Sequence, residues 1–344
     1  MLEEKLYNLE TYNYFLPKEL IAQYPLKNRD ESRLLVYKKK TKEITHHIFN
    51  ELPSLLTKND VLVLNNTKVI PARFYTETKN KKKVEILLVS PTSPDNLTWK
   101  VLASPRKHLT NVGALHATPL QQINVIDNET IRFQSHKDLE NILKNIGAMP
   151  LPPYIKRKQE EIDTERYQTI YAKEDGAVAA PTAGLHWTES ILNKLKEKGI
   201  EIFYITLHVG PGTFLPVRTN DIREHKLIPE FFSIDESVWN KIIEAKKNKK
   251  RIIACGTTTV RALEYVGALR ATPLRGLNGL YITPGFKFQI VDSMITNFHL
   301  PKTTLLILVS AFTGWENIKA IYEEAIHQKY RFYSYGDAMM PIID

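Results

Sequence analysis

The residues best suited to chemistry in this chain of 344 residues lie in five short segments rich in glycine, threonine and other small side chains. In the first, residues 176–188, two glycines allow a backbone to approach a ligand closely, and Pro181 stiffens the path. Thr182, Gly184 and His186 complete its candidate residues. We interpret the segment as a shaped binding loop, with a buried turn of small residues as the alternative.

Two more segments follow predicted strands and can present backbone N–H groups to an anion. Glycines in residues 206–214 expose such groups to a carboxylate or phosphate. In residues 256–261, threonine hydroxyls and free N–H groups open a helix, and an arginine one turn on could grip a carboxylate. A tight turn and simple helix capping are the alternatives. The candidate residues are His208, Gly210, Gly212, Thr213, Gly256, Thr257, Thr258 and Arg261.

The last two segments combine polar side chains with apolar or aromatic neighbours. Residues 292–301 place Asn297 and His299 before a proline, and this histidine is either a proton carrier or a satisfied core group. Residues 330–339 interleave aromatic rings with an arginine, a pattern suited to stacking on a nucleic-acid base or purine. Asp337 could accept from ligand hydroxyls or act as a base. An aromatic segment docked on the core is the alternative.

Several reaction classes are disfavoured by what these segments lack. The P-loop lysine is absent, which argues against a nucleoside triphosphatase, and no Gly-x-Ser-x-Gly elbow points to a serine hydrolase. No two of the loop histidines stand at a metal-ligand spacing, so we expect no metal site. Cys255 is the single cysteine, which excludes a disulfide framework, and its apolar neighbours predict a buried core residue.

Composition indicates a globular protein with a polyanionic partner. Hydrophobic residues make up 43% of the chain and charged residues 25%, as in ordinary soluble domains. No apolar run approaches the roughly 20 residues that span a bilayer, and the polar start does not resemble a secretory signal, so we expect a cytoplasmic protein with no membrane partner. The net charge of +9 favours RNA or DNA, although a generally lysine-rich composition gives the same balance.

The predicted elements change character along the chain. Residues 60–65 are typical of a buried strand. Closely spaced short strands at 84–89, 98–103, 122–127 and 129–134 are typical of a small sheet or barrel. After residue 157, helices and strands alternate, which is typical of an α/β domain. We therefore expect an α/β domain built from both chain ends, residues 1–67 and 156–344, with a β-barrel-like domain inserted at 68–155.

Capping patterns predict where the helices begin and end. One helix is expected over residues 139–146, and a second follows Thr188 and ends before Gly199. A capping box beginning at Ser233 predicts a third helix through about residue 249. A fourth follows the turn at residue 256 and ends at Gly267, and two more are expected at 305–312 and 318–330.

Taken in order, the five segments and several longer strings resemble the S-adenosylmethionine:tRNA ribosyltransferase-isomerases of queuosine biosynthesis. The resemblance covers nearly the whole chain. It implies an α/β fold with an inserted β-barrel-like domain, in agreement with the predicted elements. The additional strings are residues 13–25, 29–35, 65–73 and 149–155.

The resemblance implies a reaction in which S-adenosylmethionine, as co-substrate, donates its ribosyl part. The acceptor is the 7-aminomethyl-7-deazaguanine at the wobble position of tRNAs with GUN anticodons, and the products are epoxyqueuosine in tRNA, adenine and methionine. An S-adenosylmethionine-dependent RNA methyltransferase and a non-catalytic RNA-binding module are the alternatives. A methyltransferase would normally show a strand-linked glycine-rich loop that this sequence lacks.

This chemistry needs a base beside the sulfonium, an acid near the purine and a grip on the methionine carboxylate. We assign the acid and base work to two of His186, His208 and His299, with Asp337 in reserve. Segments 210–213 and 256–261 would hold the methionine or ribose end, and a monomer is expected. The residues expected to contact tRNA are Arg73, Lys156, Arg157 and Arg331.

Two features depart from the family pattern: the stretch before Gly279 is short, which puts any contact carried by that loop in doubt, and one residue differs. The family string H-x-M-H-x-E appears here at residues 225–230, with Ile228 where the second histidine is usual. That histidine therefore cannot be essential in an active form of this protein.

Overall fold

Sixteen strands form three sheets in the computed structural model, which describes residues 2–77, 82–93, 95–105, 123–214, 216–269 and 274–343. The strands are β1 Arg33–Lys38, β2 Glu43–Ile48, β3 Asp60–Asn65, β4 Thr67–Val69, β5 Arg73–Glu77, β6 Lys83–Pro91, β7 Thr98–Ser104, β8 Ile123–Val125, β9 Thr130–Phe133, β10 Glu174–Ala177, β11 Glu201–Leu207, β12 Glu230–Ser233, β13 Arg251–Cys255, β14 Arg275–Asn278, β15 Ser293–Asn297 and β16 Ala338–Ile342.

Helices cover the sheets and connect the parallel strands. The helices within the described residues are α1 Leu2–Lys5, α2 Leu52–Leu55, α3 His136–Ile146, α4 Glu161–Arg166, α5 Glu189–Glu197, α6 Glu236–Lys247, α7 Thr257–Leu269, α8 Thr304–Thr313 and α9 Trp315–His327.

The largest sheet has nine strands in the order β14-β12-β11-β3-β13-β15-β16-β1-β2. Strand β3 lies in its interior, next to the central strand β13, and is buried throughout because helices pack on both faces. Val61 and Val63 belong to the apolar cluster beneath α6 to α9, whereas Leu62 and Leu64 belong to the cluster beneath α2 and α5. This alternation follows from the two-residue period of a strand.

Four neighbouring strands of this sheet, β11, β3, β13 and β15, are parallel. Their carboxyl ends therefore meet at one edge of the sheet, where open α/β sheets usually bind their ligands. The segments that follow β11, β13 and β15 are three of the five segments singled out in the sequence.

The second sheet is antiparallel, with five strands in the order β5-β6-β7-β9-β8, and lies between β4 and α3 in the chain. Its core includes Phe74, Ile86, Trp99 and Phe133. Strands β4 and β10 form a separate parallel pair. A mixed α/β structure with one large and one small sheet is confirmed, and the strand predicted at 122–127 is observed as Ile123–Val125, with residue 122 outside the described residues.

Two predicted helices are found, but one predicted start and one predicted end are wrong, each for a local reason. Ser233 belongs to strand β12, and α6 begins only at Glu236 without a side-chain cap, so the capping-box interpretation fails. Helix α7 continues through Gly267 to Leu269. A Cβ at Gly267 would lie 2.6 Å from Ile290 Cγ1, so this glycine permits close packing and does not end the helix.

The other predicted elements are found with shifted ends. Helix α3 begins three residues early because Ser135 accepts from Asp138 N–H, and α9 spans Trp315–His327 rather than 318–330. None of the described helices is long and apolar enough to cross a membrane.

Candidate active site

A cleft of about 590 Å³ opens at the carboxyl edge of the parallel strands. It brings together residues from all five singled-out segments. The predicted residues that line it are Pro181, Thr182, Thr213, Gly256, Thr257, Thr258, Asn297 and His299. Further lining residues, which were not selected individually from the sequence, include Tyr154, Val209, Thr296, Thr303, Tyr333 and Ser334.

The amino end of α7 forms one wall of this cleft. Gly256 adopts φ +91°, a conformation that favours glycine, and turns the chain from β13 into the helix. The first N–H groups of a helix have no partner inside it and carry partial positive charge, so Thr257 and Thr258 present this positive end to the cleft. This wall suits a carboxylate or another anion.

His299 is 8% exposed and lines the cleft directly. Its Nε2 lies 2.9 Å from Thr296 Oγ1, and its backbone carbonyl accepts from the Tyr14 hydroxyl. Within the described residues, no hydrogen bond to Nδ1 is formed, so that nitrogen remains available to a ligand. Burial lowers the pKa of His299 to about 3, so its imidazole is neutral at physiological pH.

His186 lies behind the cleft wall and not in the lining. Its Nδ1 is 2.7 Å from Ser32 Oγ, and its Nε2 is 3.3 Å from the Nδ2 atom of Asn297, which does line the cleft. The ring packs on Phe49, with centroids 5.0 Å apart. Burial lowers the pKa of His186 to about 3, despite an opposing contribution from Asn297.

His208 faces a different cleft, on the other side of the chain that extends β11. Val209 lines the cleft beside α7, and successive side chains of an extended strand point to opposite faces. His208 instead stacks on Phe231 and bonds Thr67 Oγ1 through Nδ1 at 2.8 Å. Burial lowers its pKa. The structure therefore separates His208 from His299.

Arg261 forms a buried ion pair with Glu230, so its guanidinium is not free to bind a ligand carboxylate as predicted. Its Nη1 lies 2.7 Å from Glu230 Oε2, and both side chains are 6% exposed. The other Glu230 oxygen accepts from Gly210 N–H at 2.8 Å. Arg261 lines a side pocket that shares Thr213 with the main cleft. The ion pair therefore fixes the glycine loop that enters the site.

The remaining glycines act through packing. A Cβ at Gly184 would lie 2.4 Å from the Tyr171 hydroxyl oxygen, so this residue lets the loop pack closely but does not line the cleft. Gly212 borders the side pocket next to Ile228, the residue that replaces the family histidine.

Asp337 is 1% exposed and organises the aromatic loop that carries Tyr333. Its carboxylate accepts from the N–H groups of Arg33 and Arg331, at 3.0 and 2.8 Å. Tyr333 has φ +71°, which is strained for an aromatic residue. Asp337 thus holds a loop that borders the site without lining the cleft itself.

Tyr154 and Tyr333 form an aromatic wall of the same cleft. Their ring centroids lie 4.7 Å apart at an interplanar angle of 42°, and the Tyr154 hydroxyl lies 2.5 Å from Ser334 Oγ. Tyr154 occurs within string 149–155 and Tyr333 within segment 330–339, so both were marked as regions but not as individual residues. The wall suits a planar ring.

The four arginines and lysines expected at tRNA differ in their surroundings. Lys156 is exposed two residues from Tyr154. Arg157 instead donates to both oxygens of buried Asp163, at 2.6 and 2.7 Å, and Arg73 pairs with Glu85. The Nη2 of Arg331 donates to a backbone carbonyl, whereas its buried Nη1 has no partner in the described residues.

The two neutral histidines predict a loss of stability in acid. Below pH about 6.5 an unfolded imidazole binds a proton that buried His186 and His299 exclude, so each histidine lowers the unfolding free energy by up to about 1.4 kcal/mol per pH unit. This loss of stability is absent above that pH, grows as the pH falls, and is complete near pH 3. We expect the unfolding free energy, measured by urea unfolding, to fall between pH 7.5 and pH 5.0 by about 2 kcal/mol less in His186→Gln than in the unaltered protein. The same change at exposed His136 should leave the loss unaltered.

The family model described as "Queuosine biosynthesis protein" matches residues 9–341. The chain therefore belongs to this queuosine biosynthesis family. It is 47% identical to the S-adenosylmethionine:tRNA ribosyltransferase-isomerase of Carboxydothermus hydrogenoformans, over 97% of this chain and 99% of that protein. The protein of that name from Aquifex aeolicus is also 47% identical, over 96% and 99%.

A solved structure supports the same fold. The crystal structure of S-adenosylmethionine tRNA ribosyltransferase from Thermotoga maritima matches with a TM-score of 0.55 and 32% sequence identity. The match covers 96% of this chain and 100% of the other. The resemblance inferred from the sequence strings is thus confirmed.

Proposed function

We propose that this protein transfers and isomerises the ribosyl moiety of S-adenosylmethionine onto the 7-aminomethyl-7-deazaguanine wobble base of tRNA, giving epoxyqueuosine-tRNA, adenine and methionine. The observation that carries this proposal is the cleft of a queuosine biosynthesis family member, in which neutral His299 and the positive end of α7 border one space. One wall suits an anion, another suits a planar ring, and the His299 imidazole lines the same cleft.

His299 is the base in this proposal. When Nε2 carries the ring proton and donates it to Thr296 Oγ1, Nδ1 presents its lone pair to the cleft. That nitrogen can remove the proton beside the sulfonium. The N–H groups of Thr257 and Thr258 hold the methionine carboxylate, and Tyr154 and Tyr333 stack on a base.

The other candidate residues take supporting roles. His186 acts through Asn297, Arg261 positions residues 210–213 through Glu230, and Asp337 positions the loop of Tyr333. His208 lines a separate cleft of about 1370 Å³ and contributes less to the chemistry.

Product analysis tests this function against its alternatives. The protein is incubated with S-adenosylmethionine and tRNA bearing the aminomethyl base, and small molecules are separated by chromatography. Release of adenine and methionine is expected. S-adenosylhomocysteine would instead indicate a methyltransferase, and tRNA binding without turnover would indicate a binding module.

The proposal extends to partners and organisation. The tRNA substrate carries a GUN anticodon, the enzyme works as a cytoplasmic monomer, and residues 68–155 form a domain inserted between residues 1–67 and 156–344. In its support, the small sheet has its own apolar core, to which residues between β4 and α4 contribute all buried members except Val178.

Replacing Lys156 should weaken tRNA binding mainly through charge. This exposed lysine lies near the aromatic wall, so Lys156→Ala should remove one phosphate contact and lower the salt slope of log K by about 0.9. The matched control is Lys247→Ala, an exposed lysine at the end of α6, before the amino end of β13. An unchanged slope in Lys156→Ala would remove this residue from the tRNA surface.

A further inference from the structure

Asn297 holds a buried acceptor that the protein does not use. This residue is 2% exposed, and its Oδ1 has no hydrogen-bond partner among the described residues. Of the described side chains lining the cleft, it is the one whose unpartnered polar atom is itself fully buried. A buried acceptor without a donor costs stability, so the atom indicates a ligand donor.

The orientation of this amide is fixed by its neighbours. The nitrogen Nδ2 lies 2.9 Å from the Tyr333 carbonyl oxygen, which can only accept, so this atom is the NH₂ group. Its second N–H points to His186 Nε2 at 3.3 Å. The Oδ1 atom is therefore the amide atom left without a partner, on a residue that lines the cleft.

The same logic fixes the tautomer of His186. Because Nε2 accepts from Asn297, the ring proton sits on Nδ1 and is donated to Ser32 Oγ at 2.7 Å. The Ser32 hydroxyl then donates to the Arg29 carbonyl at 3.3 Å. Each donor in this series of hydrogen bonds has an acceptor. Rotation of the Asn297 amide would break the series, because it would place the amide oxygen against the Tyr333 carbonyl oxygen.

We propose that Asn297 Oδ1 accepts a hydrogen bond from a substrate N–H group, and that His186 and Ser32 are positioning residues that hold the amide in this orientation. The inference rests on the proposed function of the cleft. Two substrate groups have this chemistry: the exocyclic amine of adenine and the aminomethyl group of the tRNA base. A ligand with a carbonyl or nitrile group at that place would have no proton to donate to Oδ1.

Ligand changes test the acceptor in the unaltered protein. In one arm, S-adenosylmethionine is replaced by its analogue with a carbonyl in place of the adenine amine. In the other, the aminomethyl base is replaced by its nitrile. Binding of one analogue should be weaker by about 10- to 100-fold, which identifies the donor. Parent-like affinity of both analogues would overturn the proposal.

Variants test the positioning role. Asn297→Leu removes the acceptor and should weaken binding of the parent ligand identified by the analogues by a similar factor. Thermal unfolding of the variant checks that it is folded. In His186→Gln the side-chain oxygen can still accept from Asn297, so it should retain far more affinity than His186→Leu. Equal losses in both His186 variants would overturn the positioning role.

The outcomes separate this inference from the proposed function. If the unaltered protein releases no adenine, but one analogue binds more weakly than its parent ligand, the proposed reaction is contradicted and the acceptor role of Asn297 is supported. If adenine is released, but both analogues bind like their parent ligands and Asn297→Leu binds the parent ligands normally, the reaction is supported and the acceptor role of Asn297 is contradicted.

Discussion

Replacing His299 by alanine is expected to lower the rate of adenine release by about 10²- to 10⁴-fold, the usual contribution of a positioned general base. The imidazole borders the cleft, is neutral and leaves Nδ1 free of described partners, so its removal takes away the proposed proton acceptor. Binding of S-adenosylmethionine should change much less than turnover. Single-turnover adenine release, followed by chromatography, measures the loss.

His208→Ala is the matched control, because this histidine faces a separate cleft and should retain activity within a few fold. The pH profile adds a second check. Since burial lowers the pKa of His299 to about 3, kcat/KM should not show an acid limb near pH 6.5. Near-normal turnover in His299→Ala, or an acid limb near pH 6.5, would assign the base elsewhere.

Arg261→Ala is expected to destabilise the protein by about 3 to 5 kcal/mol, the usual result of removing one partner of a buried ion pair. The substitution leaves Glu230 buried and without its cation, and it also removes a donor to the Leu280 carbonyl. The loop at Gly210 loses its anchor as a consequence. Urea unfolding monitored by tryptophan fluorescence measures the change in unfolding free energy.

A double variant separates stability from ligand binding. Arg261→Met with Glu230→Gln removes both charges and should recover much of the unfolding free energy. If S-adenosylmethionine affinity stays low in the recovered double variant, the pair positions the binding loop. If the single variant Arg261→Ala unfolds like the unaltered protein, the ion pair is not the anchor that its geometry indicates.

Much of the candidate site followed from local patterns. Glycine and threonine after a predicted strand marked the turn at Gly256, since few other residues permit its backbone conformation. The run at residues 60–65 marked an interior strand of the large sheet, because a strand buried on both faces is continuously apolar. Helix ends were less predictable, since Gly267 was placed for contact with Ile290 and not for capping.

Contacts between distant segments could not be predicted in the same way. Glu230 is 31 residues from Arg261 in sequence, and Asp163 is 172 residues from Tyr335, yet each pair is bonded. Nothing local distinguishes an arginine that pairs internally from one free for a phosphate. For this reason Arg157 and Lys156 carry the same expectation in sequence but have different partners in the structure.

The sequence by itself determined the family, the candidate segments and the residue types available for chemistry, because these depend on order and composition along the chain. Only the tertiary structure decided which histidine borders the cleft. The direction of each side chain depends on strand pleat and packing, which turn His208 away, bury His186 behind Asn297 and leave Nδ1 of His299 free of described partners.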